Sequence, residues 1–397
     1  MTAMWSSFIT INYMHEIFIS CASGLETLLQ KELIALGIPK IRRSFRGVFA
    51  PREIRYVYLI NYCSRIASRV LWPVARFSCY DQHSLYSEAR KVPWHKYLSP
   101  EKTFAIDPNV SHPALRNSLF AAQVLKDALC DYFREQTGSR PSVDVQNPNV
   151  QLNLFIHQRS ATISIDTSGL PLFKRSWRHH PTEASIQETL AAALLDIINF
   201  TPHDRLCDPF CGSGTFLIEA ALKATNTPPG YLRENWGFVH LPEYNKADWL
   251  SLKNSCDSKI KTLPPNILFG ADKNPQTIAI CQKHLEIAGF SKGITVEAVN
   301  VKYYRPPVCP TMVIANPPYG IRLEASAEIY SALGRFIEQQ NNPKTYILSS
   351  SQEMVEASSC KIKNRTDLVH GGLNVYLFEV ERTKSYEPLG LQKAFFS

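Results

Sequence analysis

The 397-residue sequence contains no apolar run approaching the ~18 residues of a membrane-spanning helix, and its opening stretch, MTAMWSSFITINYMHEIFIS, carries no basic segment ahead of an apolar one. Neither an anchor nor an export signal is predicted, and a cytoplasmic protein is expected. The ten cysteines form no CxxC pair and no even series, which excludes a disulfide framework. No His/Cys set at ligand spacing accompanies Cys207 and Cys211, so no metal is expected and both thiols read as small buried hydrophobes. No lysine follows Gly214 in DPFCGSG, which removes a Walker-type phosphate loop from consideration. Low-complexity tracts and clear repeats are absent too.

What is present is ordinary globular composition, 45% hydrophobic and 20% charged, at a length that predicts two or three domains of ~100–200 residues. The net charge of +8 is unevenly spread. Through Arg175 there are 21 Lys and Arg against 13 Asp and Glu, a balance of +8; from Ser176 onward the counts are 22 and 22. A polyanionic partner for the first part is the natural expectation, since basic surfaces gain affinity for nucleic acid by releasing its condensed counterions.

The second half alternates short apolar strands (DRLCDP, NILFGAD, GITVEAVN, TMVIANPP, KTYILSS) with amphipathic helices (GTFLIEAALKA, PQTIAICQKHLEIAG, AEIYSALGRFIEQQ) and closes on two extended runs. That alternation predicts an α/β fold with a mostly parallel, doubly wound sheet and an antiparallel hairpin at its edge. Before it, EIFISCASGLETLLQKELIALGIPKIRRSFRGVFA reads as strand, helix, strand, NSLFAAQVLKDALCDYFREQ as a helix, and QLNLFIHQ with SATISIDT as a half-buried antiparallel pair. One or two small α+β units are expected there, joined to the rest by the basic connector SGLPLFKRSWRHHPTEAS.

Ligands of such sheets bind beyond the carboxyl ends of the strands, and two unusual stretches fall there. CDPFCGSGTFLIEAA ends a strand on Asp208 and turns through Gly212 and Gly214 into a helix; a carboxylate at that tip suits a ligand with positive charge, such as the amino-acid end of S-adenosylmethionine. FGADKNP ends the next strand on Asp272, a position for holding ribose hydroxyls or for capping the following helix. It follows Asp208 by 64 residues (272 − 208), an interval that an insertion, NTPPGYLRENWGFVHLPEYNKADWLSLKN, would explain. MVIANPPYGIRL stops a buried strand at Asn316 with two prolines that cannot continue a ladder. An exocyclic base amine is a poor nucleophile because its lone pair is delocalised into the ring. If Asn316 Oδ1 and the Pro317 carbonyl accept its two hydrogens, the nitrogen pyramidalises and can attack an electrophilic methyl in line, while Tyr319 offers a ring for the base to stack on. No strongly basic group is needed, because the product ammonium is acidic.

These motifs in this order, DPFCGSGTFLIEAA, WGF, GADKNP and NPPYGIRL, resemble the class I methyltransferase half of THUMP-containing RNA methyltransferases, and more narrowly the bacterial guanine-N2 methyltransferases of 23S ribosomal RNA in a form with one methyltransferase domain. The resemblance extends upstream through RPSVDVQNPNVQLNLFIHQRSATISIDTSGLPLFKRSWR and HEIFISCASGLETLLQKELIALGI. It implies a ferredoxin-like unit over residues 1–55, a THUMP RNA-binding domain over 56–168 and a Rossmann-like methyltransferase domain with a seven-stranded sheet over 169–397. It implies S-adenosylmethionine as cofactor, held by Asp208, Phe210, Gly212, Gly214, Thr215, Asp272, Lys273 and Asn300, the last standing where the family usually has Asp. Asn316, Pro317 and Tyr319 would be the catalytic set. Arg42, Arg43, Arg46, Lys174, Arg175, Arg178 and Arg322 would face structured RNA, expected to be 23S rRNA or a ribosome-assembly intermediate, with His179 and His180 facing solvent or RNA. The same amine chemistry would also serve tRNA guanine or DNA adenine N6, and a catalytically idle assembly factor is the reading from another class.

Overall fold

The computed structural model describes residues 15–178, 186–318, 323–370 and 373–382. Along the chain run β1 (Glu16–Ser20), α1 (Glu26–Ala35), β2 (Arg42–Ser44), β3 (Gly47–Pro51), α2 (Ile54–Cys63), β4 (Arg69–Ser78), α3 (Gln82–Arg90), β5 (Thr103–Ser111), α4 (Ser118–Thr137), β6 (Ser142–Val143), β7 (Val150–His157) and β8 (Ser160–Asp166). There follow α5 (Glu188–Ile197), β9 (Leu206–Asp208), α6 (Thr215–Ala224), α7 (Lys246–Asp257), β10 (Leu268–Asp272), α8 (Pro275–Ile287) and β11 (Ile294–Ala298). The described part ends with β12 (Met312–Ala315), α9 (Leu323–Glu338), β13 (Lys344–Ser349), α10 (Gln352–Glu356), β14 (Cys360–His370) and β15 (Leu373–Arg382). These residues form two compact units that are discontinuous in sequence.

One unit comprises residues 15–178 together with Ile186–Asn199 and Glu219–Leu263. Its eight strands make a single sheet in the order β2-β3-β1-β4-β8-β7-β5-β6. The expected antiparallel pair is there, with Leu152 opposite Ile165 and Ile156 opposite Ala161. Where the sequence suggested one strand around IRRSFRGVFA, the chain makes a hairpin, Ser44 pairing with Gly47 across a two-residue turn. Pro73 sits inside β4, and the pairing register with β8 shifts between Pro73 and Ala75, so the missing N–H falls at a bulge. Helix α4 starts at Asn117, whose side chain accepts the N–H groups of Leu119 and Phe120, and stops at Gly138 in the left-handed region.

The inserted stretch between β9 and β10 belongs to this unit's core. Trp236, Phe238 and Trp249 cluster with Tyr58 and Tyr62 of α2, ring centroids 5.0–6.4 Å apart in offset and edge-on pairs. The two tyrosine hydroxyls are satisfied there, Tyr58 accepting from Asn245 N–H and Tyr62 donating to Asp257.

The other unit comprises Phe200–Ile218 and the chain from Pro264 onward. Its seven strands run in the order β11-β10-β9-β12-β13-β15-β14. The pairs from β11 to β13 are parallel, and the β14–β15 hairpin adds the antiparallel edge. The fold is therefore the α/β one expected: N-terminal α+β strands and helices, then a Rossmann-like, mostly parallel seven-stranded sheet. Cys207, Phe269, Val313 and Ile347 of its strands pack with Leu333 and Phe336 of α9 and Phe378 of β15. Because both faces of the inner strands are covered, MVIA and LFGA are apolar throughout rather than alternating.

Candidate active site

Register places the chemistry at one edge of the parallel sheet. Leu206 and Cys207 of β9 pair with Met312 and Val313 of β12, while Asp208 pairs with Gly270, and Asp272 with Ala298. Parallel neighbours share a direction, so Asp208, Asp272, Asn300 and Asn316 all lie at or just beyond carboxyl ends. Asp208 is buried, 1% exposed, and its Oδ1 accepts the Phe210 N–H at 3.0 Å. Burial pushes its carboxyl up to about 8; the N–H of Phe210 pulls it partly back, and the nearby charge of Asp272 raises it further. Among the described residues no cation pairs with this buried carboxyl, which makes it an acceptor suited to a cationic ligand.

The loop after Asp208 is held from several sides. Cys211 N–H donates to Ala271 O at 2.8 Å, Gly214 N–H to Cys211 O at 2.8 Å, and buried His284 of α8 approaches Ser213 O through Nδ1 at 3.1 Å. Gly212 and Gly214 both adopt positive φ, 51° and 89°. At Gly214 a Cβ would lie 2.7 Å from Cys281 Sγ, so glycine is required there by backbone and by space. Phe210 is half-buried and Thr215 buried at the head of α6. His284 is a positioning residue that the sequence reading missed; the available signal was a histidine on the face of α8 that also carries Cys281 and Leu285, all buried.

Asp272 Oδ1 accepts the Asn274 N–H at 2.9 Å, and Asn274 itself caps α8, accepting from Gln276 and Thr277. The cap is thus Asn274, which leaves the second carboxylate oxygen of Asp272 available to ribose hydroxyls. Lys273 is exposed beside it. Asn300 is exposed after β11, and its Oδ1 accepts the Lys302 N–H at 3.0 Å while its backbone carbonyl accepts from Tyr303. Asn316 is half-buried and Pro317 buried at the end of β12. Tyr319 and Arg322, like His179 and His180, lie outside the described residues. The acidic, amide and glycine groups fit S-adenosylmethionine: a carboxylate for an ammonium, a second for vicinal hydroxyls, and small residues for close approach.

The cations expected to face RNA divide into two sets. Arg175 and Arg178 require correction, because both are interior. Arg175 is 5% exposed; its guanidinium donates to Glu219 Oε1 at 3.1 Å, to Leu172 O and to Arg65 O. Arg178 pairs with Glu188 at 2.9 Å, with side-chain exposures of 13% and 4%, and burial lowers its pKa. Both arginines fasten the connector rather than offering charge to solvent. Lys174, Arg42, Arg43 and Arg46 are exposed. Among the described residues no cluster of three His, Cys, Asp or Glu side chains could hold a metal ion, and no helix is long and apolar enough to cross a membrane.

Comparison with known proteins agrees with this layout. Residues 175–374 match the model of the RMKL-like methyltransferase domain, residues 79–166 that of the THUMP domain, and residues 16–71 that of the RlmL ferredoxin-like domain. A protein of Synechocystis that carries the provisional name of RNA methyltransferase is 31% identical over 92% of this chain and 96% of its own. The ribosomal RNA large subunit methyltransferase K/L of Shewanella amazonensis is 31% identical over 95% of this chain, which spans 55% of that longer relative. A solved structure from Listeria monocytogenes, described as a predicted N6-adenine-specific DNA methylase, superimposes with a TM-score of 0.80 at 26% identity, over 92% of this chain and 96% of that one. With the glycine turn, the acid-tipped strands and a matching family model over residues 175–374, this chain belongs to the RMKL-like methyltransferase family.

Proposed function

We propose that the protein transfers a methyl group from S-adenosylmethionine to an exocyclic amine of RNA in the cytoplasm, the target being guanine N2 of 23S rRNA. The observation that carries this reading is the alignment of Asp208, Asp272 and Asn316 at the carboxyl ends of β9, β10 and β12. The cofactor supplies a methyl already activated by a sulfonium, so the chain has to position and not to activate. Asp208 holds the ammonium of the cofactor's methionine end, and Asp272 takes the ribose hydroxyls. Gly212 and Gly214 let the backbone come close, with Phe210, Thr215 and Lys273 lining the same loops. Asn300 accepts from the adenine amine through the oxygen lone pair that its turn leaves over. Asn316 Oδ1 and the Pro317 carbonyl accept the two hydrogens of the target amine, which turns its lone pair toward the methyl, and Tyr319 stacks on the base. Leaving the stack is a cost that falls on the RNA-binding part of the chain, through its THUMP domain. The rRNA assignment is supported by the Shewanella relative's name and by the basic first part of the chain.

The test is direct. The full chain is incubated with S-adenosylmethionine and 23S rRNA transcribed in vitro, and the RNA is digested to nucleosides for mass spectrometry. N2-methylguanosine, lost in Asn316→Ala, is expected. N6-methyladenosine, or methylation confined to tRNA or DNA offered in parallel, would replace the guanine assignment, and no methyl transfer to any nucleic acid would favour an idle binding factor.

A further inference from the structure

The hairpin between β2 and β3 has features that the connector lacks. Its two-residue turn is Phe45–Arg46, and Phe45 is 80% exposed, more than any other large hydrophobic side chain among the described residues. A phenylalanine held in water at a loop tip gains nothing for folding. Its neighbours in sequence are Arg42, Arg43 and Arg46, all exposed. Arg42 pairs with Glu16 at 2.9 Å and covers the Phe49 ring at 4.3 Å, while Arg43 donates to Thr27 Oγ1 at 2.9 Å, so both cations are held along the strand. Arg46 makes no ion pair among the described residues.

The turn is also built at a cost. Arg46 adopts φ 55°, the left-handed region that glycine favours, although a glycine stands next to it. Gly47 is needed where it is, because a Cβ there would lie 2.3 Å from Ile19 O. The strained residue is instead held by its surroundings: its N–H donates to Glu26 Oε1 at 3.0 Å, and its carbonyl accepts the Cys21 N–H at 3.0 Å. These two hydrogen bonds fix the backbone of the turn, so Phe45 and Arg46 are presented at its tip in one arrangement. Lys40, just before β2, is left-handed as well, at φ 54°.

We propose that this hairpin tip is a nucleobase-stacking finger: Phe45 stacks on an unpaired base of the RNA while Arg43 and Arg46 hold the phosphates on either side of it. This rests on RNA being the partner, as proposed above, and adds where the unpaired segment is gripped. An exposed ring flanked in sequence by exposed arginines matches single-stranded RNA, in which every base offers a π-face and the backbone a regular run of negative charge. A duplex, with its bases stacked inside, offers the phosphates but not the faces. The preorganised turn means that little conformational freedom is lost when the ring is covered.

The experiment is fluorescence anisotropy of the full chain with a labelled oligouridylate of about 12 nucleotides and with an RNA duplex of the same length. Phe45→Ala is expected to weaken the single strand about tenfold with an unchanged salt slope and to leave duplex binding alone, while Phe45→Tyr retains wild-type affinity. Arg43→Ala with Arg46→Gly, the glycine keeping the left-handed turn, is expected to lower the magnitude of the log–log salt slope by about 1.4 for the single strand. Single-strand affinity unchanged in Phe45→Ala overturns the stacking role, as does an equal loss on the duplex. If the wild-type chain binds neither RNA, the reading of RNA as partner fails with it, an outcome separate from failure of the variant alone. Melting temperatures of all variants control for folding, and a tip so exposed should leave them within a degree or so of wild type.

Discussion

Replacing Asp208 with asparagine isolates the charge at the glycine turn. In the folded chain the acid is raised from 3.8 to about 8, chiefly by burial. At 1.36 kcal/mol per unit that difference is roughly 6 kcal/mol in favour of the neutral form. The sign follows: a folded-state value above the unfolded one gives a contribution to stability that is full below about pH 4 and is lost as pH rises toward 8. At pH 7 the acid is mostly protonated, and a cationic ligand group must displace that proton. S-adenosylmethionine binding should therefore release a proton at pH 7, offset only slightly by uptake on the ligand's own α-amino group at about 7.7–8.0. Affinity should rise close to tenfold per unit between pH 5.5 and 7, then pass a maximum near 8 as the ligand amine loses its charge. Calorimetry in two buffers of different ionisation enthalpy reads the proton count, and a pH series reads the slope. Asp208→Asn should lose both and bind weakly at every pH. Wild-type affinity flat from pH 6 to 8, with equal heats in the two buffers, would refute the placement of the ammonium against Asp208.

Asn316→Ala is expected to lower methyl transfer by at least ~10²-fold, the scale of losing one aligned acceptor, while the calorimetric affinity for S-adenosylmethionine stays within twofold or so; retained turnover would remove the amide from the mechanism. Glu219→Gln leaves Arg175 buried without its counter-charge and should cost about 3–5 kcal/mol in urea unfolding, whereas Arg175→Met with Glu219→Leu should recover most of it. A loss below about 1 kcal/mol would mean that the pair is not what holds the connector. Gly214→Ala combines backbone strain of ~1–2 kcal/mol with overpacking of ~1–3 kcal/mol against Cys281. Adding Cys281→Ala should return only the overpacking share, and full recovery would contradict the strain. Cys256 is pulled below the ordinary thiol range by the hydrogen bond from the Cys63 thiol, Sγ to Sγ 3.4 Å, with the cation of Lys259 helping. Its alkylation by iodoacetamide, followed by peptide mass spectrometry, should titrate below the ordinary thiol range and shift upward in Cys63→Ala; an unshifted midpoint would sink the coupling.

The second sheet was legible because each of its signals is local. An apolar run that ends on an acid or an amide, followed by a helical period, marks a parallel strand and its functional tip within a dozen residues, and even the three-residue β9 is announced by the Asp208–Pro209 stop. The first sheet was only partly legible. RVLWPVARFS and TFAIDPNVS carry internal prolines, which argue against inner strands, yet both are inner strands of one eight-stranded sheet. The bulge beside Pro73 absorbs the missing donor in β4, and such an accommodation depends on the partner strand rather than on the run itself. In sequence, the insertion after α6 explains only the interval between Asp208 and Asp272. Its tryptophans instead complete a core around Tyr58 and Tyr62, nearly two hundred residues earlier in the chain, a distance that no local pattern spans.

Charge is less local than strand pattern. The run KRSWR looks like a surface patch because sequence shows the cations and not the acids that meet them. Glu219 lies 44 residues beyond Arg175, and the pair is buried on both sides. Arg65 is likewise interior, donating to Leu222 O and Thr227 O, with burial lowering its pKa, and Arg69 is paired to buried Asp166. Part of the excess of eight positive charges through Arg175 is therefore spent inside the fold and cannot release counterions from a nucleic acid. A buried cation contributes nothing to a salt slope, so the slope counts only those that solvent can reach. The same net charge then predicts a more focused interface than a uniformly basic surface would, with the β2–β3 hairpin and Lys174 as its exposed members. A fragment cut at residue 175 would lack Glu219 and strand Arg175, so RNA capture has to be measured on the full chain.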